Sequence, residues 1–156
     1  NGKCIFSYGD ILFRYYVLDQ LLESKNDIVL VIDALWRDRD PNPQSRTRDL
    51  VKCAEPFTSK YLDEDEVTLT AIGHDFLAED IQGEWIGLAK FSDVGSGRIF
   101  SEIQKMQDDG TARNASMIDL FDRLIKSGED IHVIYVSGHW LDIDNADDLA
   151  DAQKFL

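Results

Sequence analysis

Residues 131–155 read IHVIYVSGHWLDIDNADDLADAQKF, and the reading of this stretch decides the fold. Ile131, Val133, Ile134, Tyr135 and Val136 form a short apolar, β-branched run that stops at Ser137-Gly138, which predicts a buried strand followed by a turn. Asp142 and Asp144 then flank Ile143. On an extended segment this alternation aims both carboxylates at one face while Ile143 packs on the other. Asn145 offers an N-cap to a helix with Asp147 and Asp148 in its first turn and Leu149, Ala152 and Phe155 at helical spacing. The acidic pair therefore sits at a strand-to-helix junction, the place where open α/β sheets bind ligands. Acidic residues ahead of a helix also serve as caps and dipole partners, so the pair alone does not make a metal site.

A second acidic junction shifts that balance. Gly2 to Ser7 reads as a strand, Asp10 follows it, and Ile11, Leu12, Tyr15, Tyr16, Leu18, Leu21 and Leu22 recur at helical spacing, with the helix body from Arg14 to Ser24. Ile28 to Ile32 is a continuous apolar run, as expected of a strand covered on both faces, and Asp33 ends it; the first part of the chain is a βαβ unit. In a parallel α/β sheet the carboxyl ends of strands share one edge, so Asp10 and Asp144 are expected to converge. A hard cation such as Mg²⁺ takes oxygen ligands and commonly only one or two carboxylates.

Between these junctions, Leu50–Cys53, Val67–Ile72 and Gly83–Ser92 read as strands, and Gly83 and Gly87 mark backbone that approaches a ligand or another chain. Gly95 and Gly97 precede a helix predicted from about Arg98 to Met106, and Ser116 caps another that carries Met117, Leu120, Phe121, Leu124 and Ile125. Arg37, Arg39, Arg46 and Arg48 concentrate positive charge, either as a solvated, ion-pairing loop or as an anion clamp. His74 reads as a surface histidine.

Composition bounds the function. A chain of 156 residues, 44% hydrophobic, is one globular domain with a real core. Its net charge of −14 argues against general nucleic-acid binding, which rests on Lys and Arg. No apolar run approaches the roughly 18 residues of a membrane span, so a soluble, cytoplasmic protein is expected. Cys4 and Cys53 lie in apolar runs without a Cys/His cluster and read as buried, reduced thiols. The chain opens at Asn1 directly before a strand and reads as a piece of a longer polypeptide, fused or docked to another enzyme domain.

Four segments, SYGDILF (7–13), DIVLVIDALW (27–36), GEWIGLAKFS (83–92) and GHWLDIDNADDL (138–149), carry a resemblance. In this order and separation they resemble nucleotidyltransferases of the sugar-phosphate and choline-phosphate cytidylyltransferase type, most closely the cytidylyltransferase modules associated with phosphoenolpyruvate phosphomutase in phosphonate biosynthesis. The resemblance implies an α/β fold with a Rossmann-like, mixed, mostly parallel sheet flanked by helices. Residues 1–156 would form the C-terminal two thirds of such a domain, without its N-terminal βα unit and glycine-rich loop. The implied reaction moves CMP from CTP to a phosphonate or phosphate acceptor, such as 2-aminoethylphosphonate or 2-hydroxyethylphosphonate, and releases pyrophosphate with Mg²⁺ as cofactor.

Asp10 matches the family's first metal aspartate, and Asp142 and Asp144 both remain open for the second. Asp10 and Asp144 are the catalytic candidates, with Asp142 in support on the metal. Arg37 and Lys90 are candidates for phosphate or nucleotide contacts, and Glu84 with Trp85 for the acceptor, although Glu84 and Lys90 also read as an ion pair. The alternatives are a choline-phosphate or sugar-1-phosphate acceptor, and a non-catalytic α/β module that binds a nucleotide or a partner. A phosphatase-like use of Asp10 as nucleophile is disfavoured, because no DxDx(T/V) pattern follows the first strand.

Overall fold

The computed structural model describes residues 2–39, 47–58, 67–143 and 145–155. In chain order its first elements are β1 (Cys4–Ser7), β2 (Ile11–Phe13), α1 (Tyr15–Glu23), β3 (Ile28–Asp33), α2 (Trp36–Arg39), β4 (Leu50–Cys53) and β5 (Val67–Gly73). There follow β6 (Gly83–Phe91), α3 (Asp93–Asp108), α4 (Met117–Lys126), β7 (His132–Val136), β8 (Trp140–Asp142) and α5 (Ala146–Phe155).

β3 organises the packing, and all of its residues are buried. Ile28, Leu30 and Ile32 enter one apolar cluster with Trp85, Phe91, Phe121 and Leu124; Val29 and Val31 enter another with Val17, Leu21, Ile86 and Trp140. Side chains alternate across a strand, so two covered faces require an unbroken apolar run. α1 covers one face through Val17 and Leu21, and α3 and α4 cover the other through Met106, Ile118, Phe121 and Leu124.

The main sheet runs β1-β6-β3-β7-β5-β4, and the start of β6 also pairs with β4. β1, β3, β4 and β7 share one direction and β5 and β6 oppose them, yet β3 with β7 is the only parallel pairing among the described residues. The mixed sheet is as expected, but its neighbours are mostly antiparallel, because β6 inserts between the two strands of the βαβ unit.

Other differences have local causes. Ile11 and Leu12 do not start the first helix: they form β2, a ribbon with β8 in which Ile11 faces Asp142 and Phe13 faces Trp140. Arg14 N donates to His139 O at 3.0 Å, so the chain turns into α1 only at Tyr15. α3 begins at Asp93 rather than near Arg98, with the Ser92 side chain accepting from Gly95 N at 3.1 Å. Gly95 lies inside the helix, and no side chain fits there, since a Cβ would stand 2.1 Å from the Asp27 carbonyl oxygen. The predicted cap of α4 is present as a reciprocal box between Ser116 and Asp119. Cys53 is buried, and burial pushes its thiol up to about 11; Cys4, expected to be buried, is exposed on the edge strand β1. No helix among the described residues is long and apolar enough to cross a membrane.

Candidate active site

The turn after β1 and the ribbon β2/β8 form one wall of an open cleft of about 150 Å³. Asp10 leaves this turn, exposed, and its carbonyl accepts Ile143 N at 2.9 Å; Asp142 ends β8 opposite Ile11. Two carboxylates from opposite ends of the chain thus line one cleft. Asp49 and Glu84 line the other side, with Tyr8 and Trp140 between. Burial raises the Tyr8 phenol well above its usual range. The charge of Asp49 and its hydrogen bond from Tyr8 Oη at 3.1 Å add to this, and the charges of Asp10 and Asp142 add further. The cleft carboxylates thus act on the phenol in the same direction as its burial.

Asp33 holds the ribbon in place. It is fully buried at the end of β3 and accepts from Leu35 N at 3.0 Å, Gly138 N at 3.1 Å and Trp140 Nε1 at 2.9 Å. These bonds fix the turn at Gly138-His139, where even the non-glycine His139 takes a φ of 64°. Sequence reasoning saw Asp33 only as the end of a strand. The available signal was a carboxylate directly after an unbroken apolar run, which has to find donors in the interior.

The other candidates divide. Glu84 and Trp85 line the cleft, but both are buried: Glu84 pairs with the buried Arg48 at 2.9 Å, not with Lys90, and Trp85 meets Tyr8 at a tilt and Phe121 edge-on, each with ring centroids 5.1 Å apart. Lys90 sits at the opposite end of β6, about 20 Å of strand away from Glu84. Its Nζ donates to Ser24 O at 2.5 Å, beyond the C-terminus of α1, where a cation complements the helix dipole. Arg37 is exposed, donates to Ala78 O and packs over Trp36 at 5.0 Å, outside the cleft. Arg48, which the sequence offered to an anion clamp, instead neutralises Glu84. His74 is exposed as expected, with Nδ1 at 2.9 Å from Arg48 O. Arg46, the Arg39 side chain and Asp144 lie outside the described residues.

Asp10 and Asp142 fit a hard cation: both offer oxygen donors, and both face an open cleft that water and a substrate can enter. Among the described residues no cluster of three or more His, Cys, Asp or Glu side chains is placed to hold a metal ion.

The fold has counterparts of known structure. The chain superposes on the inositol-1-phosphate CTP transferase of T. maritima with a TM-score of 0.66 and 17% identity, covering 99% of this chain and 55% of that one. The fold is that of the nucleotidyltransferases. The CTP:phosphocholine cytidylyltransferase of Streptococcus pneumoniae gives a TM-score of 0.55 at 14% identity, over 93% of this chain and 54% of that one. In sequence, the chain is 25% identical over 154 residues to the CTP:phosphoglutamine cytidylyltransferase of Campylobacter jejuni, which covers 93% of this chain and 56% of that protein. No family model matches. The chain spans about half the length of these relatives.

Proposed function

We propose that this chain is the carboxylate-bearing part of a Mg²⁺-dependent cytidylyltransferase that moves CMP from CTP to a small phosphate or phosphonate acceptor. The observation that carries the proposal is the meeting of Asp10 and Asp142 in one open cleft. The names of three similar proteins support the donor: each specifies CTP, with phosphoglutamine, inositol-1-phosphate and phosphocholine as the named partners. What these share is an anionic oxygen on phosphorus. 2-Aminoethylphosphonate and 2-hydroxyethylphosphonate offer the same nucleophile.

In the proposed reaction an acceptor oxygen attacks the α-phosphorus of CTP. The new O–P bond forms as the bond from the α-phosphorus to the α,β-bridging oxygen breaks, and pyrophosphate leaves with the electron pair. Nucleophile and leaving group are both anionic, so catalysis rests on in-line placement and charge stabilisation rather than on proton transfer. Asp10 and Asp142, with Asp144 as a third candidate, would hold the Mg²⁺, whose charge offsets that of the phosphate oxygens. The Glu84–Arg48 pair keeps the opposite wall neutral at that point, and Tyr8 and Trp85 add aromatic lining to the cleft. Arg37, Arg48 and Lys90 are engaged elsewhere, so the basic groups that a triphosphate needs are not these three. The same fact favours the rival reading, a non-catalytic module that binds without turnover.

The test is pyrophosphate release by the natural polypeptide that contains this chain, with each of the four nucleoside triphosphates and a panel of phosphate and phosphonate acceptors. Release only with CTP and an acceptor together is expected. Equal turnover of all four nucleotides contradicts the cytidylyl reading, and no turnover with any pair favours the non-catalytic module. Folded Asp10→Asn enzyme is expected to lose more than tenfold in rate; a smaller loss, under about 1.4 kcal/mol of barrier, contradicts a metal role for Asp10.

A further inference from the structure

We infer that Tyr8 is a positioning residue: its ring, seated on a glycine bulge of β6, fixes where the Asp10 turn stands in the cleft. The consequence for cation binding rests on the proposed function; the positioning itself does not. β6 is irregular opposite β3, since Leu30 faces Ala89 while Ile32 faces Trp85, and Gly87 within that irregularity has a φ of 81°. Glycine bulges bend a strand and re-aim what lies against it, often beside active sites. What lies against this one is Tyr8. A Cβ at position 87 would stand 2.2 Å from Tyr8 Cδ2 and 2.7 Å from Cγ, so only glycine lets the ring down onto the strand.

The ring is held at its backbone, its flank and its hydroxyl. Tyr8 N donates to Gly87 O at 2.9 Å, continuing the β1/β6 pairing past the last strand residue, and the ring packs on Trp85 at 5.1 Å and edge-on to Phe6 at 5.7 Å. At its far end the hydroxyl donates to Asp49 Oδ2 at 3.1 Å, and Asp49 is itself tied down by Trp85 N, which donates to its carbonyl at 2.7 Å. Tyr8 therefore joins the two walls of the cleft. Gly9, the next residue, has nothing within 4 Å of where a Cβ would be, so no side-chain packing holds it. The position of Asp10 is fixed from Tyr8 on one side and from the Asp10–Ile143 bond, 2.9 Å, on the other.

The experiment uses the natural polypeptide that contains this chain as parent, and its Tyr8→Leu, Tyr8→Phe and Gly87→Ala variants, with Asp10→Asn as control. It measures amide exchange at Ile143, the donor to Asp10, against the β3 amides, and the affinity for Mn²⁺ as probe metal. Tyr8→Leu and Gly87→Ala are expected to speed Ile143 exchange by at least about tenfold while β3 amides keep their protection, and to weaken Mn²⁺ binding by about tenfold or more. Tyr8→Phe, which keeps the ring, is expected to restore most of both. Tyr8→Leu is the more conservative fold change, and it decides the matter if Gly87→Ala fails to fold. Parent-like Ile143 exchange in Tyr8→Leu overturns the inference; so does a loss of protection shared equally by β3, which would make Tyr8 a packing residue alone. If the parent binds Mn²⁺ no better than Asp10→Asn, the cation reading of Asp10 fails, and Ile143 exchange still decides for or against Tyr8.

Discussion

On the α3–α4 face, Arg123 donates to Glu102 and to Asp109, both at 2.8 Å, and Lys105 reaches Glu102 at 3.0 Å; in the cleft, no Lys or Arg of the described residues pairs with Asp10. Glu102 is buried, and its hydrogen bonds from Arg123 and Lys105 hold its carboxyl below the usual range. Asp109 is brought down to about 2, first by its bonds from the Thr111 hydroxyl and amide and then by Arg123. In the cleft the carboxylates act outward instead, on the Tyr8 phenol. The two regions use the same residue types differently. Charge on the helix face is closed upon itself and stabilises the fold; in the cleft, Glu84 is paired with Arg48 while Asp10 stands exposed at the mouth.

The comparison breaks most visibly at Asp33, a carboxylate beside the cleft that belongs to the structural kind. Asp33→Ala leaves Leu35 N, Gly138 N and Trp140 Nε1 without their acceptor and is expected to cost about 3 kcal/mol or more in denaturant unfolding. A loss under about 1 kcal/mol would mean that water replaces the carboxylate and that Asp33 does not hold the ribbon. Arg123→Ala comes next. Glu102 keeps Lys105 but loses its better-buried partner, and a measurable loss smaller than that of Asp33→Ala is expected by the same measurement.

Acid sharpens the contrast further. Asp109 has a native pKa of about 2 against 3.8 for the free group, so its contribution is fully present above pH 3.8 and is lost as pH falls towards 2. Unfolding followed between pH 4 and pH 2 should therefore show a shallower loss of stability in Asp109→Asn than in the parent. Equal slopes would remove Asp109 from the stabilising network. The smallest effect is expected at Asp10. Asp10→Asn should change stability by no more than about 0.5 kcal/mol, because the side chain is exposed and serves no bond of the fold.

How far the sequence carried depends on whether the cause of each feature is local. β3 was legible because burial on both faces forces an unbroken apolar run, and α4 because its cap is built from Ser116 and Asp119 within one turn. β2 was not: Ile11 and Leu12 fit helical spacing, and their strand partner, β8, lies at the other end of the chain. Gly95 reads as a helix breaker until the Asp27 carbonyl beside it is known. In the site, the sequence set Asp10 after a strand and Asp142 beside Asp144 on an extended segment; Asp10 and Asp142 line one cleft, and Asp144 lies outside the described residues. Arg37 and Lys90 were misread because the oxygens they bind, of Ala78 and Ser24, come from distant parts of the chain. Tyr8 was passed over, although a tyrosine ahead of Gly-Asp at the end of a strand was in plain view.

The central claim is that Asp10 and the β8 end hold one cation. A crystal of the chain soaked with Mn²⁺ and CTP, read by anomalous scattering, tests it most directly. The account predicts a peak about 2.1–2.2 Å from a carboxylate oxygen of Asp10 and of Asp142 or Asp144. A peak bound elsewhere, or Asp10 standing more than about 10 Å from both partners, would contradict it.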